Sequence, residues 1–200
     1  MDRKKFLTTA TLTAFSYSIF GCVKPVGDRF EGSCETSKDI LGPFYRPDAP
    51  FRSDLTSSKN ANPIINIVGA VYQDDCQTPI PEALVEIWHC DGAGGYDNTS
   101  DEYRYRASWE TNDEGQYVFK TQMPGKYLNG KLYRPAHIHF RVSAKGHNEL
   151  ISQLYFQGDP HITNDPWASS PNAVHRIVPI IPVGTGGELT VEFNIYLKGN

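Results

Sequence analysis

From residue 64 onward the chain is written in short runs of β-branched and aromatic residues, each closed by Gly, Pro, Asn or Asp. Ile64-Ile65-Asn66-Ile67-Val68-Gly69-Ala70-Val71-Tyr72 is the first and Ala83-Leu84-Val85-Glu86-Ile87-Trp88-His89 the second. Runs of this length suit strands of a pleated sheet and are too short for the buried face of a helix bundle. The composition agrees: 17 Gly, 14 Pro and 12% aromatic residues favour many strands and many turns.

The pattern predicts one all-β domain, a β-sandwich over residues 63–200 with long loops at its active end. The first two runs read as a hairpin joined through the turn at 74–81. Trp109 to Phe119 reads as strand, turn, strand, with Gly115 at the tight position. Further strands are expected at His137 to Ser143, Leu150 to Phe156, Val174 to Pro182 and Leu189 to Leu197, and loops at 91–101 and 123–130. Residues 23–62 lack periodicity. Gly42-Pro43-Phe44-Tyr45-Arg46-Pro47 makes them an extended N-terminal arm.

The first 22 residues differ from the rest. Arg3, Lys4 and Lys5 precede an uncharged stretch from Phe6 to Phe20, and Gly21-Cys22 closes it. A basic start, a short apolar run and a small residue before the cut describe an export signal. Arg3-Lys4-Lys5-Phe6-Leu7 resembles a twin-arginine signal, and Gly21-Cys22 resembles a lipobox whose Cys is lipidated. The expectation is an exported periplasmic or cell-envelope lipoprotein attached to the membrane through Cys22. In an oxidising compartment a disulfide is expected among Cys34, Cys76 and Cys90. Cys76 and Cys90 fall at opposite ends of one strand, so Cys34 with Cys90 is the preferred pair. The formal net charge is −4, which gives no support to nucleic-acid binding.

The chemistry concentrates in Arg134-Pro135-Ala136-His137-Ile138-His139-Phe140. Residues two apart on a strand share a face, so both imidazoles can reach one metal ion. No Cys-x-x-Cys pair accompanies them, which argues against a zinc ribbon. The neighbouring loops instead supply Tyr96, Tyr127 and Tyr133. A tyrosine alone is ordinarily a packing residue, and its hydroxyl titrates near pH ~10. A trivalent cation reverses that preference, and two phenolates with two imidazoles form a hard, anionic donor set suited to Fe(III).

These segments carry a resemblance. Trp88-His89-Cys90, Gly95-Tyr96, Asp113-Glu114-Gly115-Gln116-Tyr117-Val118-Phe119, Pro124-Gly125-Lys126-Tyr127, Arg134 to Phe140 and Ile151-Ser152-Gln153-Leu154-Tyr155-Phe156 resemble, in this order, the intradiol ring-cleavage dioxygenases. The likeness to the protocatechuate 3,4-dioxygenase β-subunit and to exported single-domain members is strongest. It implies a prealbumin-like sandwich and one non-haem Fe(III) per chain, held by Tyr96, Tyr127, His137 and His139. Tyr127 and His139 would be axial, and Tyr133 is a competitor for the place of Tyr127. The resemblance also implies a catechol-type substrate and O2, ring opening to a cis,cis-muconate, Tyr127 as a proton acceptor, Arg134 as stabiliser of ring negative charge, and Gln153 beside the reacting oxygens. It leaves the oligomeric state open. The rival reading is a non-enzymatic, prealbumin-like cell-surface binding module, which needs no metal.

Overall fold

The computed structural model describes residues 24–26, 29–31, 34–56, 62–184 and 187–200. The expected export segment, with Cys22, lies outside the described residues. The chain divides into two compact units, residues 1–32 and 33–200. In the first, β1 (Lys24–Val26) and β2 (Arg29–Glu31) pair antiparallel.

The second unit is all-β. Its strands are β3 (Ile64–Gln73), β4 (Leu84–Trp88), β5 (Arg106–Glu110), β6 (Gln116–Gln122), β7 (Tyr127–Asn129), β8 (Leu132–Arg134), β9 (His137–Ser143), β10 (Leu150–Phe156), β11 (Ile177–Val178), β12 (Ile181–Val183), β13 (Glu188–Glu192) and β14 (Ile195–Leu197). One sheet runs β11-β10-β9-β4-β5. The other runs β12-β13-β3-β14, with β6 on the opposite edge of β3. The inner faces interlock. Ile65, Ile67, Val71, Phe119 and Ile195 of one sheet share a core with Val85, Ile87, Ile138, Phe140 and Leu154 of the other. Tyr117 and Phe193 meet Phe140 edge-on, at centroid separations of 6.1 and 5.1 Å. Burying these apolar side chains, each worth roughly 1.5–3 kcal/mol, fixes the sandwich.

Several expectations are corrected. β3 and β4 do not pair. The chain folds back on β3 only as far as Ile80, whose N–H reaches Val71 O, and then crosses to the other sheet. Likewise β5 and β6 flank the expected turn at Gly115 but belong to different sheets. The run from Val174 begins as a 3-10 helix, Pro171–Arg176, whose start carries a Ser170 cap and Pro171. Within the loop expected at 123–130, Tyr127–Asn129 instead form β7, which pairs with β8. The last run is cut at Phe193-Asn194, where the Asn194 side chain takes the Ala70 N–H at 2.9 Å. Gly69 permits that break, since a Cβ there would lie 2.0 Å from Phe193 O. Finally, the disulfide joins Cys34 to Cys76, not Cys90, with Cα atoms 5.4 Å apart. The arm starts beside the 74–78 turn, with the Cys34 N–H on Asp74 O, while Cys90 is buried as a free thiol.

The arm of residues 34–56 runs over the outer face of the β9-containing sheet. Thr36 N–H donates to Tyr196 O, Asp39 N–H to Ile151 O, and the Ser108 N–H of β5 to Pro50 O. This cover explains why both faces of β9 are buried from His137 to Phe140. Ile138 and Phe140 enter the core. His137 and His139 face the arm and loops, and the site lies there.

Candidate metal centre

Three adjacent strands assemble the site by register. His139 lies opposite Trp88 of β4 and Gln153 of β10, and His137 lies opposite Tyr155. Odd-numbered β9 residues therefore share one outer face with these partners. The two imidazole rings are 5.0 Å apart. Trp88 stacks on His139 at 4.7 Å and 8°, which fixes that ring's plane. Gly42 of the arm closes over it. Its φ of +71° and the 3.2 Å left between a Cβ and His139 Cε1 both favour glycine.

The tyrosines arrive on loops. Tyr96 OH is 3.5 Å from His137 Nε2. Its ring stacks on Phe44 at 4.1 Å, and the Tyr127 ring meets it edge-on at 5.7 Å. Buried Arg106 locks this wall, donating to Asp97 O, Phe44 O and Asn98 Oδ1. Tyr127 opens the β7–β8 hairpin, 5.5 Å from the His137 ring. Tyr133, on the same hairpin, is 45% exposed and packs against Lys126 and His161 instead. The structure thus brings Tyr96, Tyr127, His137 and His139 together and leaves Tyr133 outside.

The donor atoms suit a cation. His137 Nδ1 donates to Pro135 O at 2.7 Å, so its Nε2 presents a lone pair inward. His139 is buried, and neither ring nitrogen has a partner among the described residues. An unpaired buried polar group is costly, and a metal ion would satisfy one of the two nitrogens. Burial pushes the His137 pKa down to about 3 and that of His139 well below its usual value, so both imidazoles are neutral and able to ligate. Burial, then Cys90 and Tyr127, raise the pKa of Tyr96 well above 10. Only a strongly charged cation would hold it as phenolate. Among the described residues no group of three or more His, Cys, Asp or Glu side chains could hold a metal, and the further donors beside the two imidazoles are the phenols of Tyr96 and Tyr127.

Arg134 borders the set. Its Nη1 lies 3.4 Å from both Tyr127 OH and His137 Nε2. Gln153 is placed behind it: Oε1 accepts from Arg134 Nη2 and Tyr155 OH, and Nε2 donates to Ile40 O. Sequence reasoning missed Asp165, which pairs with Arg134 at 2.8 Å, and Trp167, whose ring lies 4.3 Å from the guanidinium. It also missed Asp39 and Arg176, a second buried ion pair supporting Tyr155 and Gln153. No local signal marks these partners. His89, next to Trp88, is instead satisfied by Cys90 O and Thr121 Oγ1 and stands apart from the donor set.

The family model Dioxygenase_C, described as dioxygenase, matches residues 40–199. The chain is similar to the chlorocatechol 1,2-dioxygenase of Rhodococcus opacus, 30% identical over 194 residues, covering 82% of this chain and 73% of the relative. It is also similar to the protocatechuate 3,4-dioxygenase beta chain of Burkholderia cepacia, 32% identical over 189 residues, covering 82% and 80%. Among solved structures it resembles the dioxygenase domain of a dioxygenase and carbohydrate-binding protein fusion from Streptomyces sp. SirexAA-E. There the TM-score is 0.72 and the identity 28%, over 83% of this chain and 99% of that one. The chain spans about half the length of the catechol 1,2-dioxygenases it matches.

Proposed function

This chain belongs to the intradiol ring-cleavage dioxygenase family, and from that premise we propose that it opens a catechol-type ring between its two hydroxyl-bearing carbons with O2, giving a cis,cis-muconate-type dicarboxylate. Family membership supports this reading over the non-enzymatic binding module. Tyr96, Tyr127, His137 and His139 would hold one Fe(III). The observation that carries this is His139, buried beside those side chains with both ring nitrogens unpartnered among the described residues. Bound there, ferric iron would take up the catecholate oxygens and draw electron density from the ring.

The chain's own residues do the rest. Held as phenolate by the iron, Tyr127, whose oxygen lies beside Arg134 Nη1, would accept a proton from an incoming catechol hydroxyl. Arg134 stabilises negative charge developing on the ring. Its charge is secure. Burial works against it, but the hydrogen bonds and charges of Asp165, Tyr155 and Tyr127 raise its pKa overall. The arm, through Gly42 and Phe44, covers His139 and Tyr96 and excludes water from that side.

Oxygen uptake with catechol, protocatechuate, hydroxyquinol and chlorocatechols, with product identification, tests this reading. Ring-opened dicarboxylate from at least one of them is expected. Iron-free, colourless protein inert toward all of them would overturn it.

We further infer that the protein is exported and anchored through lipidated Cys22. The Cys34–Cys76 disulfide supports an oxidising compartment. Cell fractionation of the full chain and of Cys22→Ser tests this: only the former should sediment with membranes.

A further inference from the structure

Arg134 has five N–H donors on three nitrogens, and the contacts are divided unevenly among those nitrogens. Nε donates to Asp165 Oδ2 at 2.8 Å. Nη2 is shared by Gln153 Oε1 at 3.0 Å, Tyr155 OH at 3.2 Å and, more distantly, Asp165 Oδ1 at 3.5 Å. Among the described residues Nη1 has two long contacts, 3.4 Å each, to Tyr127 OH and His137 Nε2. At such lengths these are weak bonds. One edge of the guanidinium is therefore committed and the other faces the donor ring.

Asp165 is built to impose that orientation. It ends the short 3-10 helix Ile162–Asn164 in extended backbone, as Pro166 requires of the residue before it. Its Oδ1 accepts the Trp167 and Ala168 N–H groups at 3.0 and 2.8 Å, which anchors the carboxylate to the main chain. The pair is nearly solvent-free, with side-chain exposures of 3% for Arg134 and 1% for Asp165. Trp167, placed by the same turn, lies beneath the guanidinium plane. Carboxylate, indole and amide together leave the fork one orientation.

We propose that Asp165 is a positioning residue that acts through Arg134, holding the guanidinium so that Nη1 alone is aimed at the oxygen atoms of a catechol bound among Tyr96, Tyr127, His137 and His139. The assignment rests on the dioxygenase reading. Its consequence is that Arg134 stabilises the developing negative charge chiefly through an aimed N–H, because the paired Asp165 offsets its charge at longer range.

The test is a double-mutant cycle of Asp165→Asn and Arg134→Ala. It is read by kcat, by anaerobic catechol binding and by iron content. Asp165→Asn alone should lower kcat on the order of 10–100-fold, as loss of an orienting partner commonly does. Iron content and anaerobic catechol affinity should stay near wild type. In the Arg134→Ala background the same change should have almost no further effect on kcat. Asp165→Glu, which keeps the charge, should recover part of the loss, and it serves in the cycle should Asp165→Asn fold poorly. Equal losses in both backgrounds would make Asp165 a structural residue only, and unchanged kcat in the single variant would overturn the proposal outright. Absence of ring cleavage by the wild-type protein would instead overturn the dioxygenase reading, and this assignment with it.

Discussion

Replacing Cys34 and Cys76 together by Ser should remove a large part of the stability while sparing the site. The bridge spans a sequence separation of 42. In the chain-entropy treatment, closing a loop of that length takes about 13 cal/mol/K from the unfolded chain, or about 4 kcal/mol at 25 °C. Much of the arm keeps its own anchors: Thr36 on Tyr196, Asp39 on Ile151 and Arg176, and Phe44 O on Arg106. The native structure should therefore persist, and the loss should come from the freed unfolded state. Urea unfolding followed by circular dichroism, compared between wild type and variant, measures it. With a slope of ~2–3 kcal/mol/M, the midpoint should fall by roughly 1.3–2 M at unchanged iron content. A loss below about 1 kcal/mol would refute the reasoning, because the crosslink would then not be constraining the unfolded chain.

Other expectations concern single side chains. Tyr127→Phe should retain iron and change the visible spectrum of the resting protein, whereas Tyr133→Phe should leave it unchanged; swapped outcomes would move the ligand to Tyr133. Phe44→Ala removes the ring stacked on Tyr96 and should broaden the tyrosinate absorption and lower kcat several-fold, and a wild-type spectrum and rate would show that Arg106 holds Tyr96 unaided. Burial holds the His89 pKa down at about 4, whereas the unfolded chain titrates near ~6.5. Between these values the unfolded state binds a proton that the native state refuses. Stability should thus fall as the pH drops from ~6.5 toward 4, by about 1.4 kcal/mol per unit from this residue, and be unaffected above that window. Urea midpoints at pH 7 and 5 should diverge less in His89→Gln than in wild type, and equal divergence would refute this.

Much of the sandwich was readable from local pattern, and the limits of that pattern are physical. The strands at 137–143 and 150–156 fall where alternation placed them, and strand periodicity correctly set His137 and His139 on one face. Pairing was less legible. Neither the turn at 74–81 nor the one at 111–115 reveals whether the following strand stays in its sheet or crosses to the other. Ser170-Pro171 was a helix-start signal overshadowed by the β-branched run behind it. The ligand-bearing loops were found through the order of their motifs. The groups that orient Arg134 come from contacts 19 to 31 residues apart in sequence, which no periodicity announces. Likewise Cys34 sits in an arm without pattern, so its true partner depended on where that arm lay.

The central claim, cleavage of a catechol ring by insertion of both atoms of O2, is tested most directly by turnover under 18O2 with mass spectrometry of the product. The account predicts a ring-opened dicarboxylate, cut between the two hydroxyl-bearing carbons, that carries two labelled oxygen atoms. A quinone, a semialdehyde cut outside the two hydroxyls, or a product with both new oxygens drawn from water would contradict it.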